Sequence, residues 1–372
     1  MNSISTKTND QWQDYKFSDL CKITRGASPR PIHEWVTQSG GMPWVKISDA
    51  TASNSRYLSK TKEQIKLDAV RMSVQVHPGD LIVSNSATPG IPKFLTIDAC
   101  IHDGWLLLRD IKDTTTKEYL YYLLVSIREG LLQLGNGSIF TNLKTDILKN
   151  YPVKIPNKEL QKLIVSILSL IDTKIDLLNN QNNLFENLAN TLFSKLINEN
   201  LKNVGQMSDV IELVYGKGLT EINRIPGEYP VVGSSGITGT HSEYLVKGPG
   251  LVVGRKGTVG SVYYLYNNFY PIDTTFYVKD KLGLKHLYFY YFLIKRQDFI
   301  SLSSDSAVPG LNRNIALSSE VVIPSKDDII IYNDLVDPMF RKIDINKNQI
   351  STLTNLRNKL LPKLMNGEIK LN

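Results

Sequence analysis

Two stretches of this chain carry apolar residues at spacings of three and four. In the first these are Leu160, Ile164, Ile167, Ile171, Ile175, Leu178, Phe185, Leu188, Leu192 and Leu196, with Asn182 in one gap. In the second they are Val336, Met339, Ile343, Ile350, Leu353, Leu356, Leu360 and Leu364, with Asn346 in the gap. That period predicts helices, and so narrow a stripe is the seam of a coiled coil. Each stretch follows an Ile-Pro step, "VKIPNKEL" (153–160) and "VVIPSKDD" (321–328), in which Asn157 and Ser325 are natural N-caps. Pro338 is expected to begin the second long helix proper, Pro362 to kink its last turn and Gly367 to end it. About 28 helical residues span roughly 42 Å. One arrangement packs each helix on its own globular domain. The narrow stripe, met twice, favours packing the helices on each other, with buried Asn182 and Asn346 fixing register.

The segments before each helix read as β-rich and repeat one another. "FSDL" with Arg25-Gly26 returns as "MSDVIELVYGKG" from Met207, so that Ser18, Asp19 and Gly26 fall 190 positions before Ser208, Asp209 and Gly216. "GGMPWVKIS" (40–48) faces "GEYPVVGSS" (227–235), and "HPGDLIVSNSATPGIPKFL" (77–95) faces "KGPGLVVGRKGTVGSVYYL" (247–265). Both of the latter are a Pro-Gly turn, a β-rich run and a glycine-punctuated hairpin. Aromatic helices follow, "KEYLYYLL" (117–124) and "KHLYFYYFL" (285–293), then the loops "GSIFTNLKTD" (137–146) and "SAVPGLNRNI" (306–315). This is a two-fold duplication, with a period too long for a solenoid. The predicted division is 1–156, a first globular domain; 157–203, a first helical arm; 204–324, a second globular domain; and 325–372, a second arm. The fold class is α+β, with two similar β-rich heads held apart by helices, a body suited to touching two similar things at a fixed separation.

Composition narrows the classes. The chain has 372 residues and a formal net charge of +7, an excess permitting an acidic partner but thinly spread, with no polybasic block. No apolar run reaches membrane-spanning length, and the N-terminus "MNSISTKTND" lacks the apolar core of a secretion signal. Two cysteines, Cys21 and Cys100, build no disulfide framework and suit a reducing cytoplasm. Catalytic signatures are missing. "GRKGTVG" (254–260) has its glycines in the wrong order for a phosphate loop and fits a tight hairpin turn. Cys100 and His102 share a strand face but have no second ligand pair for zinc. The chain is therefore read as non-catalytic and without a metal or cofactor.

What the heads offer is polar and basic loop chemistry of the kind that reads base edges and holds phosphates. In the first head the candidates are Arg25, Lys46, Ser84, Asn85, Lys93, Asn142 and Lys144. In the second they are Lys217, Arg255, Lys256, Thr258, Asn312 and Arg313. Lys144 with Asn142, and Arg313 with Asn312, are expected to occupy matching places. Helix-seam candidates are Ile164, Ile171, Ile175, Leu178, Asn182, Phe185, Ile343, Asn346, Ile350, Leu353 and Leu360.

These features together resemble the specificity (S) subunits of type I restriction–modification systems. The resemblance covers essentially the whole chain. It rests on the duplicated strand–Ile-Pro–long helix order and on "PGDLIVSNSATPG", "LVVGRKGTVGSVYY" and "LRNKLLPKLMNGEI". It implies two target-recognition domains, each reading half of a split site on double-stranded DNA. It also implies an antiparallel coiled coil that sets the gap and docks two modification (methyltransferase) subunits, with restriction subunits joining. S-adenosylmethionine and ATP would belong to those partners. The rival readings are a self-contained nuclease or methyltransferase, and a two-headed coiled-coil scaffold that binds no DNA.

Overall fold

A computed structural model describes residues 12–52, 55–134, 142–301, 310–369 and 371. The polar N-terminal stretch and the loop matches at 137–141 and 306–309 lie outside the described residues. The chain divides into two compact units, one of residues 1–178 with 348–372 and the other of residues 179–347.

In the first unit a five-stranded sheet runs in the order Lys22–Arg25, Trp105–Arg109, Leu81–Ser84, Pro92–Leu95, Tyr57–Leu58. Its central strands are apolar without alternation because both faces are covered. Leu81, Val83, Leu106 and Leu108 point to a core shared with Tyr119, Leu120 and Leu124 of the helix Lys117–Leu134. Their neighbours Ile82, Trp105 and Leu107 point the other way, to a core with Val45, Val76 and Ile101. Period-two alternation has thus been turned into two cores, one on each side of the sheet. The second core lies against a second five-stranded sheet, in which Met42–Val45 runs parallel to Ala99–Ile101. A two-stranded ladder, Trp12–Lys16 with Pro152–Pro156, completes the unit.

The second unit repeats this plan with fewer strands. One sheet is Ile211–Tyr215, Thr275–Asp280, Gly250–Gly254, Val262–Leu265. The other is Gly236–His241, Tyr229–Gly233, Tyr270–Pro271, the last two again parallel. The ladder is Val204–Gln206 with Glu320–Val322. The likeness extends to single hydrogen bonds. The Lys16 and Gln206 N–H groups each donate 2.8 Å to the carboxylate three residues on, Asp19 and Asp209. The Gly26 N–H donates to Trp105 O at 2.9 Å and the Gly216 N–H to Thr275 O at 3.0 Å. Both glycines are obligatory by close approach, since a Cβ would lie 2.1 Å from His102 O in one and 2.2 Å from Ile272 O in the other. The two hairpins close alike, the Gly90 N–H on Ser84 O at 2.8 Å and the Gly260 N–H on Gly254 O at 3.0 Å.

The helix Lys158–Glu199 is 42 residues long and Lys326–Met365 is 40. Asn157 Oδ1 accepts the Leu160 N–H at 3.0 Å and Ser325 Oγ accepts the Asp328 N–H at 3.2 Å, so both starts are capped by side chains. The second helix begins at Lys326 and not at Pro338, and it runs through Pro338 and Pro362. Each proline forfeits one backbone bond. Buried Tyr332, Val336 and Phe340 around the first, and Leu361, Leu364 and Met365 around the second, anchor the helix on both sides. The left-handed Gly367, φ +77°, follows its end.

In each unit the two helices pair antiparallel. In the first unit Arg357 donates to Asp172 at 2.9 Å, and Ile164 and Leu168 share a core with Leu361 and Leu364. In the second, Asn346 Nδ2 donates 2.8 Å to Gln181 Oε1 and 2.8 Å to Asn182 Oδ1, while the Tyr332 hydroxyl reaches Ala189 O. Of the seam candidates, Ile164, Ile175, Leu178, Ile343 and Asn346 are buried, and Ile171, Asn182, Phe185, Ile350, Leu353 and Leu360 half-buried. Leu188 and Leu356, which the spacing puts in the stripe, are 47% and 45% exposed. Near residue 190 the first helix also covers aromatic residues of its own unit. Phe193 stands 5.4 Å from Phe289 and 5.7 Å from Phe292, so the buried row there is Ala189, Phe193 and Ile197.

Candidate nucleic-acid interface

In the second unit five segments converge at one end of the strands of the large sheet. The strand Ile211–Tyr215 ends in a half-exposed Tyr215, and the Lys217 N–H just beyond it donates to Pro271 O at 3.0 Å. Arg255 leaves the hairpin strand with its N–H on Thr274 O at 2.9 Å and its carbonyl accepting the Leu311 N–H at 2.8 Å. Lys256 bridges to Gly310 through the backbone. Asn312 caps the short helix Arg313–Leu317, its Oδ1 taking the Asn314 and Ile315 N–H groups at 2.9 and 3.3 Å. The turn at Ser234 is stitched to the hairpin tip by Ser261 and Tyr263, whose hydroxyls donate to Ser234 O at 2.6 and 3.2 Å.

These segments bring Lys217, Arg255, Lys256, Thr258, Asn312 and Arg313 to a common surface. Lys217, Lys256, Thr258 and Asn312 are exposed and the two arginines half-buried. The Arg255 guanidinium lies 4.9 Å from the centre of the Tyr215 ring and 5.9 Å from that of Phe276, and the Arg313 guanidinium 5.5 Å from Tyr215. Among the described residues none of the four cations makes a salt bridge, although Arg255 Nη1 donates to Asp273 O at 3.1 Å.

The matching end of the first unit's sheet is organised around Asp103. Ser28 donates to its carboxylate at 2.6 Å, Arg30 and Arg25 stand 3.6 and 3.8 Å from it, and Arg25 Nε also donates to Asp103 O at 2.8 Å. The Ser28 hydroxyl, with the charge of Arg30, holds the Asp103 carboxyl below its ordinary pKa despite partial burial. Lys46 is half-buried and spends its charge on Glu63 at 2.6 Å. Asn142 and Lys144 are exposed, Lys144 at the start of the helix Thr145–Asn150. The expected match of the two loops needs a shift of one place. Leu143 and Leu311 donate to Asn85 O and Arg255 O alike, so Lys144 corresponds to Asn312 and Thr145 to Arg313.

Three base-reading candidates of the first head are corrected by burial. Ser84 is fully buried, giving its hydroxyl proton to Thr88 O at 2.6 Å and accepting the Ile91 N–H at 2.8 Å; it closes the hairpin. Asn85 is buried and donates to Asp103 O at 3.2 Å. Lys93 is buried, bonds to Ser55 O, and burial pushes its ammonium pKa down to about 8. His102 lies between Trp44 and Trp105, with Nδ1 accepting the Gly104 N–H at 2.8 Å, and burial lowers its pKa. Among the described residues no His, Cys, Asp or Glu cluster could hold a metal ion. Sequence reading missed Tyr215, Ser28, Arg30 and Asp103. For Tyr215 the one available signal was its place immediately before the repeated Gly216, where the first half has Arg25.

Two alike β-rich units, each presenting polar and cationic loops at one end of its sheet, define a protein that recognises two sites. The family model for the type I restriction modification DNA specificity domain matches residues 9–187 and again 199–355. The chain belongs to this family, as a non-catalytic specificity subunit that recognises DNA sequence through two domains. It is 24% identical to the type I restriction enzyme MjaIX specificity subunit of Methanocaldococcus jannaschii, over 98% of this chain and 95% of that one. Its fold is similar to that of the type I restriction–modification S subunit from M. genitalium, with a TM-score of 0.61 at 17% identity over 100% of both chains. No helix among the described residues is long and apolar enough to cross a membrane.

Proposed function

We propose that residues 1–156 read the first half of a split DNA target and residues 204–324 the second, while 157–203 and 325–372 set the unread gap between them. The observation that carries this reading is the repeated hydrogen-bond frame around Gly26 and Gly216. It delivers loops of different chemistry, Asp103-centred in one unit and cationic in the other, to the same end of the strands in each sheet. The helical arms dock two modification subunits, to which restriction subunits are added, and the complex works in the cytoplasm. The exposed apolar side chains on the helices support partner docking, among them Leu163, Leu170 and Leu177 in the first unit and Ile331 and Leu335 in the second. S-adenosylmethionine and ATP bind those partners, not this chain.

The test is to co-express the chain with a modification subunit and map methylated adenines across genomic DNA. A two-part motif with a fixed unread gap supports the reading, and removal of one heptad from each long helix should then shorten the gap. A single uninterrupted motif, or a gap indifferent to helix length, counts against it. Binding that is insensitive to salt would favour a scaffold that uses no phosphate contacts.

A further inference from the structure

We propose that Tyr215 is a positioning residue of the second recognition unit, its ring holding Arg255 and Arg313 as a paired reader of guanine. The two arginines come from separate elements, a hairpin and a helix start, yet both guanidinium groups lie over one ring, at 4.9 and 5.5 Å. Two like charges drawn to one ring repel. The negative face of an aromatic ring offsets part of that cost, and no carboxylate among the described residues forms an ion pair with either arginine. Lys217 and Lys256 add two more unpaired cations on the same surface. A surface so built is complete only against a polyanion.

The plainer role for Tyr215 is to cover Phe276, whose ring centre is 5.0 Å away. Yet Tyr215 stays 48% exposed, and its hydroxyl makes no hydrogen bond to a described residue, so about half of it faces outward from that contact. Arg255 is anchored by its backbone on both sides and by one donor on Asp273 O, which leaves most of its five N–H groups without a described partner. Arginine forks held in this way match O6 and N7 of guanine in the major groove.

The device belongs to one half only. By the shared backbone bonds, Tyr215, Arg255 and Arg313 correspond to Arg25, Asn85 and Thr145 in the first unit. There Asn85 is buried and Arg25 is tied to Asp103. Guanine reading by stacked arginines is therefore assigned to the second half-site.

This inference rests on the DNA-reading function, and the test separates the two. The full chain, and its Tyr215→Phe, Tyr215→Ala and Arg313→Lys variants, would each select binders from a random-sequence DNA duplex library. Wild type should enrich a split motif with one or two G·C pairs in one half. Tyr215→Phe keeps the ring and should keep that preference. Tyr215→Ala, and Arg313→Lys, which keeps the charge but not the fork, should each weaken it about tenfold per base pair and leave the other half unchanged. Tyr215→Ala should keep the wild-type salt slope, whereas Lys256→Ala should flatten it by about one unit. Full guanine preference in Tyr215→Ala, equal loss in Tyr215→Phe, or changes in both halves would overturn the assignment. A wild-type chain that enriches no sequence would overturn the DNA reading along with it.

Discussion

Replacing Arg357 with leucine should weaken the first unit by an amount its surroundings set. Arg357 donates at 2.9 Å to Asp172, whose side chain is 7% exposed and which also accepts the Tyr122 hydroxyl at 2.8 Å. Without Arg357 a carboxylate stays buried on a neutral phenol. Arg56 remains one link away, its Nη1 3.2 Å from the Tyr122 oxygen. Breaking a buried pair on one side costs 3–5 kcal/mol in comparable sites, and Arg56 argues for the lower end, about 3 kcal/mol. All four tryptophans, Trp12, Trp35, Trp44 and Trp105, belong to this unit, so tryptophan fluorescence follows its unfolding alone. With a urea slope near 3 kcal/mol per molar, the midpoint should fall by roughly 1 M. Adding Asp172→Leu and Tyr122→Phe removes the stranded groups and should return most of the loss. If Arg357→Leu leaves the midpoint unmoved, or the triple variant is no better than the single, the pair is not the buried charge clamp described here.

The other predictions concern the second unit's helix pair, the thiols and acid. Asn346 is fully buried, with no partner for its Oδ1 among the described residues; Asn346→Ala should cost about 1–2 kcal/mol in denaturant titrations followed by circular dichroism. Asn346→Leu with Asn182→Leu should gain stability but loosen register, read as mixed oligomers in analytical ultracentrifugation. Cys21 and Cys100 are buried, and burial pushes their thiol pKa values to about 12 and about 11; native chain should resist iodoacetamide at neutral pH and react once unfolded. Burial raises the Asp80 carboxyl, but Arg109 at 2.6 Å and the His77 N–H at 2.8 Å outweigh it, leaving its pKa below the ordinary value. A depressed carboxyl stabilises the fold above its unfolded pKa of roughly 4 and loses that contribution as pH falls through the folded value. Asp80→Asn should therefore lower tryptophan-monitored stability at pH 7 and flatten its fall in acid.

The duplication and the long helices were legible because they are periodic. Strand-to-helix handover after Ile-Pro, the capping Asn157 and Ser325, and the glycines at 26 and 216 are local signals with local causes. The errors arose where a second partner redirected a face. The helix around Phe193 packs on an aromatic helix as well as on its mate, so Leu188 is exposed although its spacing fits the stripe. Pro338 sits mid-helix because the core residues on both sides outweigh one missing bond. Ser84 looks like a groove-facing serine, but nothing in its type distinguishes that from a serine that ties its own hairpin. Lys93 is hidden under the Ser55 segment, which arrives from 38 residues away. Tyr215 carried only its place before the repeated Gly216, since a tyrosine at a strand end becomes informative only when two distant arginines are seen over its ring.

The central claim is that each unit reads its own half of the target independently. Its most direct test exchanges residues 204–324 for the corresponding domain of a family member with a different target, and maps methylated adenines with the cognate modification subunit. The account predicts a hybrid motif in which one half is new while the other half and the gap are unchanged. A motif altered in both halves, or left as it was, would contradict it.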